Sequence, residues 1–279
     1  RSRHHGRGPC ACHRRQISGG GNYGMGSEST ATTSRGRQLA FRIVGWLLGA
    51  GTILASFPYI VVSLVSDDPV EQSHRFHVIG GFTGIALIGV FSIVFVMRPT
   101  WLAAWHVLIA QALAWLFGGL MGGDLITGFY ITGLVGLVLL GGLHPDPRSL
   151  MRLPGHPSIS LLTYALLCAI PAWIYAVTYT ELQHGSTSDP HVRLHHWSGV
   201  AVAALAIAGA AIATSLRGAG WLVAAAVTAT AAVAFGLSGL VFSNLPGAPG
   251  TGWSWRAVAA GIGFWLLARV EAGREGSAG

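Results

Sequence analysis

The sequence predicts an all-α integral membrane protein with eight transmembrane helices, built as two parallel four-helix repeats. Composition is the first sign: 52% of the 279 residues are hydrophobic and only 10% charged, where a soluble domain carries about a quarter charged residues. The second is patterning, since continuous apolar runs recur with short polar breaks over almost the whole chain after residue 38. The third is a set of landmarks that returns at nearly the same spacing in the two halves.

A bilayer core of about 30 Å needs roughly 20 apolar residues per helix. Segments of that length fall at 40–65, 75–97, 101–119, 124–142, 158–181, 192–215, 220–242 and 252–270. None alternates apolar and polar residues with a period of two, so helices are expected rather than barrel strands. The domain division that follows is a basic N-terminal tail at 1–38, a first repeat at 39–142, a linker at 143–157, a second repeat at 158–271 and a tail at 272–279.

The repeat rests on ordered landmarks. FPYIVVSLVS (57–66) resembles IPAWIYAVTY (170–179), and His77-Val-Ile-Gly is echoed by His196-Trp-Ser-Gly. The next Trp-Leu pair follows 24 residues after His77 and 25 after His196, and FGGL (117–120) answers FGLSGL (235–240). With an even number of spans per copy the repeats are parallel, which places His77 and His196 on one side of the membrane.

The formal charge of +7 does not point to nucleic acid, because the basic residues stand at the ends of apolar segments and in the tail. The partner they imply is the lipid bilayer. Arg35, Arg37, Arg42, Arg98, Arg148, Arg152, Arg217, Arg269 and Arg274 collect on one side, against Arg75, Arg193 and Arg256 on the other. By the positive-inside rule both termini are expected in the cytoplasm. All 17 cationic side chains are arginine, and with abundant Ala, Gly, Val and Leu this suggests a GC-rich bacterial source and the inner membrane.

Met25 is the expected start, with residues 1–24 not translated. Cys10, Cys12 and His13 lie in that leader and lack the spacing of a four-ligand metal site. Cys168, alone in an apolar run, is expected to pack.

The outer ends of the second and sixth spans stand out. They read DDPVEQSHRFHVIGG (67–81) and ELQHGSTSDPHVRLHHWSG (181–199). Asp189 and Pro190 form a helix start, after which His191 and His195 would share a face at i and i+4. Ser73 is the expected cap of the second span, with His74 and His77 on one face at i and i+3. Gly80 and Gly84 on the second span, and Gly199 and Ala203 on the sixth, would let the two helices approach closely and bring His77 toward His196.

Several functions stay open for this cluster. His77 and His196 can serve as axial ligands of a haem b, as paired histidines on different helices do. His74, His77, His191, His195 and His196 can hold a transition metal, Cu or Zn being suited to imidazole. Either site would serve electron transfer or metal binding, with an electron-transfer or membrane-protein partner. The alternatives are a small-solute transporter, for which the intramembrane His106 is the main ionisable candidate, and a structural protein with interfacial histidines and no cofactor.

On that last reading Arg75, Arg193, Trp197, Trp253, Trp255 and Arg256 form an outer belt, Trp101 and Trp105 an inner one, and Tyr59, Tyr130, Tyr175 and Tyr179 anchor likewise. His144 and His156 belong to the linker. No nucleotide loop, GxSxG elbow or HExxH motif occurs, so catalytic residues, substrate and oligomeric state are not legible.

Overall fold

In a computed structural model the described residues are 35–123, 128–152 and 156–277, and they contain helices and no strand. The chain runs through α1 (Arg35–Val65), α2 (Pro69–Met97), α3 (Leu102–Met121) and α4 (Gly128–Leu143). A short 3-10 turn at Pro147–Met151 leads to α5 (Ile159–Gln183), the single turn α6 (Pro190–Arg193), α7 (His196–Ser215), α8 (Trp221–Val241) and α9 (Thr251–Ser277). Cys10, Cys12, His13 and Met25 lie outside the described residues.

Six helices, α1, α2, α3, α5, α7 and α8, are long and apolar enough to cross a membrane. This is the make-up of a multi-pass helical membrane protein. The two remaining expected spans are helical but weaker. At 16 residues α4 is short for a crossing, and α9 carries Arg256, Arg269, Glu271 and Arg274 among its 27 residues.

Helix α7 is the centre of the bundle and packs against α2, α3, α5 and α8. Its buried side is alanine and valine, including Ala201, Val202, Ala203, Ala206 and Ala210. Side chains this small let helix backbones meet, and that closeness drives association where lipid removes the hydrophobic incentive. Gly84 of α2 faces Ala203 so closely that a Cβ there would lie 2.8 Å from the Ala203 Cα. Gln111 of α3, fully buried, donates from Nε2 to the Ala206 carbonyl at 2.8 Å and fastens the third contact.

The pairs α1–α2 and α8–α9 flank this centre. Far from the first histidines, Phe41, Phe91, Phe95, Val107 and Leu140 fill the opposite half of the bundle. His144 belongs there and is a correction to the linker reading. Only 3% exposed, it stacks on Phe95 at 5.1 Å and hydrogen-bonds the Pro99 carbonyl at 3.0 Å.

Two helix starts set the site. Helix α2 begins at Pro69, and Asp68, not Ser73, is its cap: Val70 N donates to Asp68 Oδ1 at 2.9 Å. Ser73 stands a turn inside and donates back to the Val70 carbonyl. Arg75 ties this end to α1, donating from Nε to the Ser63 carbonyl at 2.8 Å and from a terminal nitrogen to the Ser66 carbonyl at 3.1 Å. Those carbonyls are among the last of α1, which have no partner within their own helix.

The second start departs from the expected continuous helix. Asp189 caps and Pro190 opens α6 as predicted, but the turn ends at Arg193 and α7 starts afresh at His196. Between them His195 is left-handed, with φ 57°. His191 and His195 therefore do not share one helical face. The break redirects the chain so that His191 and His196 approach α2 from two short elements.

Candidate functional site

Four imidazoles come together where α2 and α7 begin. The ring centre of His74 lies 4.6 Å from that of His191, 4.5 Å from His196 and 6.4 Å from His77. His77 stands 4.9 Å from His191 and 5.4 Å from His196, and the last pair, His191 and His196, is 6.1 Å apart. Four of these separations, 4.5–5.4 Å, run around a ring, and the two across it, His74–His77 and His191–His196, are longer at 6.4 and 6.1 Å, so the four rings form a flattened, puckered four-membered cluster.

The site is buried. His74 and His77 are 2% and 4% exposed. Ring nitrogens His74 Nε2, His77 Nδ1 and Nε2, His191 Nε2 and His196 Nδ1 are buried with no hydrogen-bond partner. Buried polar atoms nearly always have one, and orphans gathered at a single point ask for an explanation.

His191 has its tautomer fixed. Its Nδ1 lies 2.9 Å from Asp189 Oδ1, which also accepts the His191 backbone N–H at 2.9 Å. An ionised carboxylate only accepts, so Nδ1 carries a proton, and in the neutral imidazole Nε2 is then the atom with the free lone pair. Partial burial works to raise the Asp189 carboxyl, but the hydrogen bonds from His191 outweigh it and hold it below its ordinary value.

The walls come from residues that sequence reasoning assigned elsewhere or overlooked. Trp197, expected in an outer belt, is only 8% exposed; its ring stacks on His191 and meets His77 edge-on, both at 4.8 Å. Gln183, at the end of α5, donates to the Val192 carbonyl at 2.7 Å and accepts from Ser198 N at 3.3 Å. It thereby bridges the broken α6–α7 joint.

Gly247, in the α8–α9 loop with φ +80°, lies on the His77 ring: a Cβ there would stand 2.9 Å from Nε2. Tyr175 and Tyr179 hold that loop by donating to the Gly247 and Ala248 carbonyls at 2.7 and 3.4 Å, rather than serving a belt. No local pattern marks Gln183 or Gly247, since both act on residues distant in the sequence.

His106 is not part of this group. It is buried in the second turn of α3, whereas the far end of α3, at Gly122, meets Ser198 and Gln183.

A haem between His77 and His196 does not fit these rings. Axial imidazoles face one another across the iron with a flat open slot between them. Here the two ring centres are only 5.4 Å apart, and the rings of His74 and His191 crowd them at 4.5 and 4.9 Å.

A single ion is different in scale. With metal–nitrogen bonds of about 2.0–2.1 Å, four imidazoles around a tetrahedral ion have ring centres roughly 5 Å apart. The observed 4.5–6.4 Å brackets that value. As the rings are turned, however, no three His, Cys, Asp or Glu side chains among the described residues are arranged to hold a metal ion.

Fold and site together define a multi-pass helical membrane protein with a buried group of imidazoles at one end of the bundle. Comparison with family models, curated proteins and solved structures finds no match for the chain.

Proposed function

We propose that this chain binds a transition metal, copper or zinc, between His74, His77, His191 and His196. The observation that carries the reading is the gathering of four imidazoles within 4.5–6.4 Å of one another, five of whose ring nitrogens are buried with no protein partner. Imidazole is a good ligand for both metals. Rotation about Cβ–Cγ re-aims the nitrogens while leaving each ring centre almost in place, and that torsion is broad in histidine. Converging the donors therefore needs ring turns, not movement of helices.

Asp189 completes the logic from outside the metal. A ligating histidine commonly gives its other ring N–H to a carboxylate, which fixes its orientation and raises its basicity. The Asp189–His191 bond has that form. His195, at the left-handed joint, shapes the turn on this reading and is not a ligand.

The eight-span, two-repeat architecture accounts for where the site lies. His74 and His77 belong to the first half and His191 and His196 to the second, and parallel repeats bring equivalent ends to one side. On this reading that side is the outer one of a bacterial inner membrane, and the arginine asymmetry supports it. Asp67, Asp68, Glu71 and Asp189 then give cations an acidic approach.

The test is metal analysis of the purified full chain after loading with copper or zinc and removal of excess. One tightly held equivalent is expected, retained in His106→Ala and lost in a His77→Ala/His196→Ala double variant. Unchanged metal content in the double variant would remove the proposal.

A further inference from the structure

Beside the histidines, α5, α7, α8 and α9 enclose a cleft of about 480 Å³. Its lining is almost entirely apolar, and its rim residues Leu167 and Ile174 are 62% and 56% exposed. In a bilayer that rim faces lipid, so the cleft is entered sideways from the membrane. The volume suits a small organic molecule rather than an ion.

Its walls are unusually aromatic. Tyr164, Tyr175, Tyr179, Phe235, Trp253 and Phe264 all line it. An acyl chain gains only burial against such walls, whereas a flat ring gains offset-stacked and edge-to-face contacts with them as well. Arg256 stands at the same wall, its guanidinium 4.4 Å from the Trp253 ring, and offers hydrogen-bond donors to an oxygen acceptor.

The aromatic wall continues to the histidines. Tyr175 and Tyr179 are 4.4 Å apart between ring centres, Tyr179 stacks on Trp197 at 5.6 Å, and Trp197 touches both His77 and His191 at 4.8 Å. The cleft and the imidazole site thus share one partition.

We infer that this cleft binds a lipid-soluble quinone: a flat ring bearing carbonyl oxygens, with an apolar tail lying toward the lipid side. The ring lies among the aromatic walls with a carbonyl accepting from Arg256. The inference goes beyond the metal reading and stands without it, because every group it uses lies outside the four imidazoles.

The experiment is equilibrium binding of decylubiquinone to the purified full chain in detergent, with palmitate as competitor. Binding should saturate at one molecule per chain and resist palmitate. Ala208→Phe on α7 and Ala257→Phe on α9 fill the cleft from different walls, and each should weaken binding by at least about tenfold, or about 1.4 kcal/mol. His77→Ala should bind like the parent, which separates this outcome from failure of the metal site.

Should one filling variant fail to fold, the other still reads the site. Equal displacement by palmitate would make the cleft an acyl-chain groove and overturn the inference. Parent-like binding in a folded filling variant would overturn it as well.

Discussion

Gly247 lies directly on the imidazole of His77, so that a single added carbon would come within 2.9 Å of Nε2 and 3.0 Å of Nδ1. The loop is fixed there by the hydroxyl of Tyr175, so it cannot step aside without breaking that hydrogen bond, and the His77 ring is the partner that must give. Gly247→Ala should therefore displace the His77 ring and abolish tight metal retention. Gly250→Ala is the control: its φ is +77° but it faces open space, so it suffers only the left-handed backbone cost of about 1–2 kcal/mol. Metal content of the two variants, side by side, checks the contact.

Asp189→Asn removes the carboxylate that orients His191. Metal affinity should fall about 10–100-fold, the usual effect of losing such an outer partner, as measured by competition with a chelator. The pH dependence has a definite sign. Because hydrogen bonding from His191 holds the Asp189 carboxyl below its ordinary value, the difference in stability between parent and variant is fully present above the ordinary aspartate value. It should disappear as pH falls through the native-state value. Unfolding of the metal-free forms between roughly pH 7 and pH 3 follows it.

The close approach of α2 and α7 gives a paired prediction. A Cβ at Gly84 meets Ala203 at 2.8 Å, while one at Gly81 meets Gly199 only at 3.9 Å. Gly84→Ala should lower stability in detergent by about 1–3 kcal/mol through overpacking, and Gly81→Ala should leave it near the parent. Thermal unfolding of both variants decides between this contact and a looser packing.

Gln183→Leu should cost about 1–3 kcal/mol, because it removes a buried side chain's hydrogen bonds to the Val192 carbonyl and the Ser198 N–H. It should also weaken metal binding, since those two groups flank the joint that presents His191 and His196. Gln183→Glu keeps the acceptor for Ser198 but loses the donor to Val192, so it should rescue only part of the loss. Unfolding and chelator competition on the same samples measure both effects.

Much of the frame was legible because it is written locally. Apolar length marks α1, α2, α3, α5, α7 and α8, and Asp189-Pro190 marks a helix start. The spacing of Gly84 and Ala203 anticipated the α2–α7 contact. Asp68-Pro69 carries the same start signature as Asp189-Pro190, and Ser73, the expected cap, lies a turn too late.

What was not legible is long-range. No glycine or proline announces the left-handed turn at His195. It follows from the tertiary demands of a joint that Gln183 spans from another helix. The belt reading of Trp197 failed for the same reason: an aromatic at a membrane-helix end looks alike in sequence whether it meets lipid or, as here, two imidazoles.

The most direct measurement is X-ray absorption at the metal edge of the zinc-loaded full chain. A first shell of four nitrogens at about 2.0–2.1 Å, with the outer-shell pattern of imidazole, is the predicted result. A shell of oxygens, or a spectrum that stays the same in the His77→Ala/His196→Ala variant, would contradict the account.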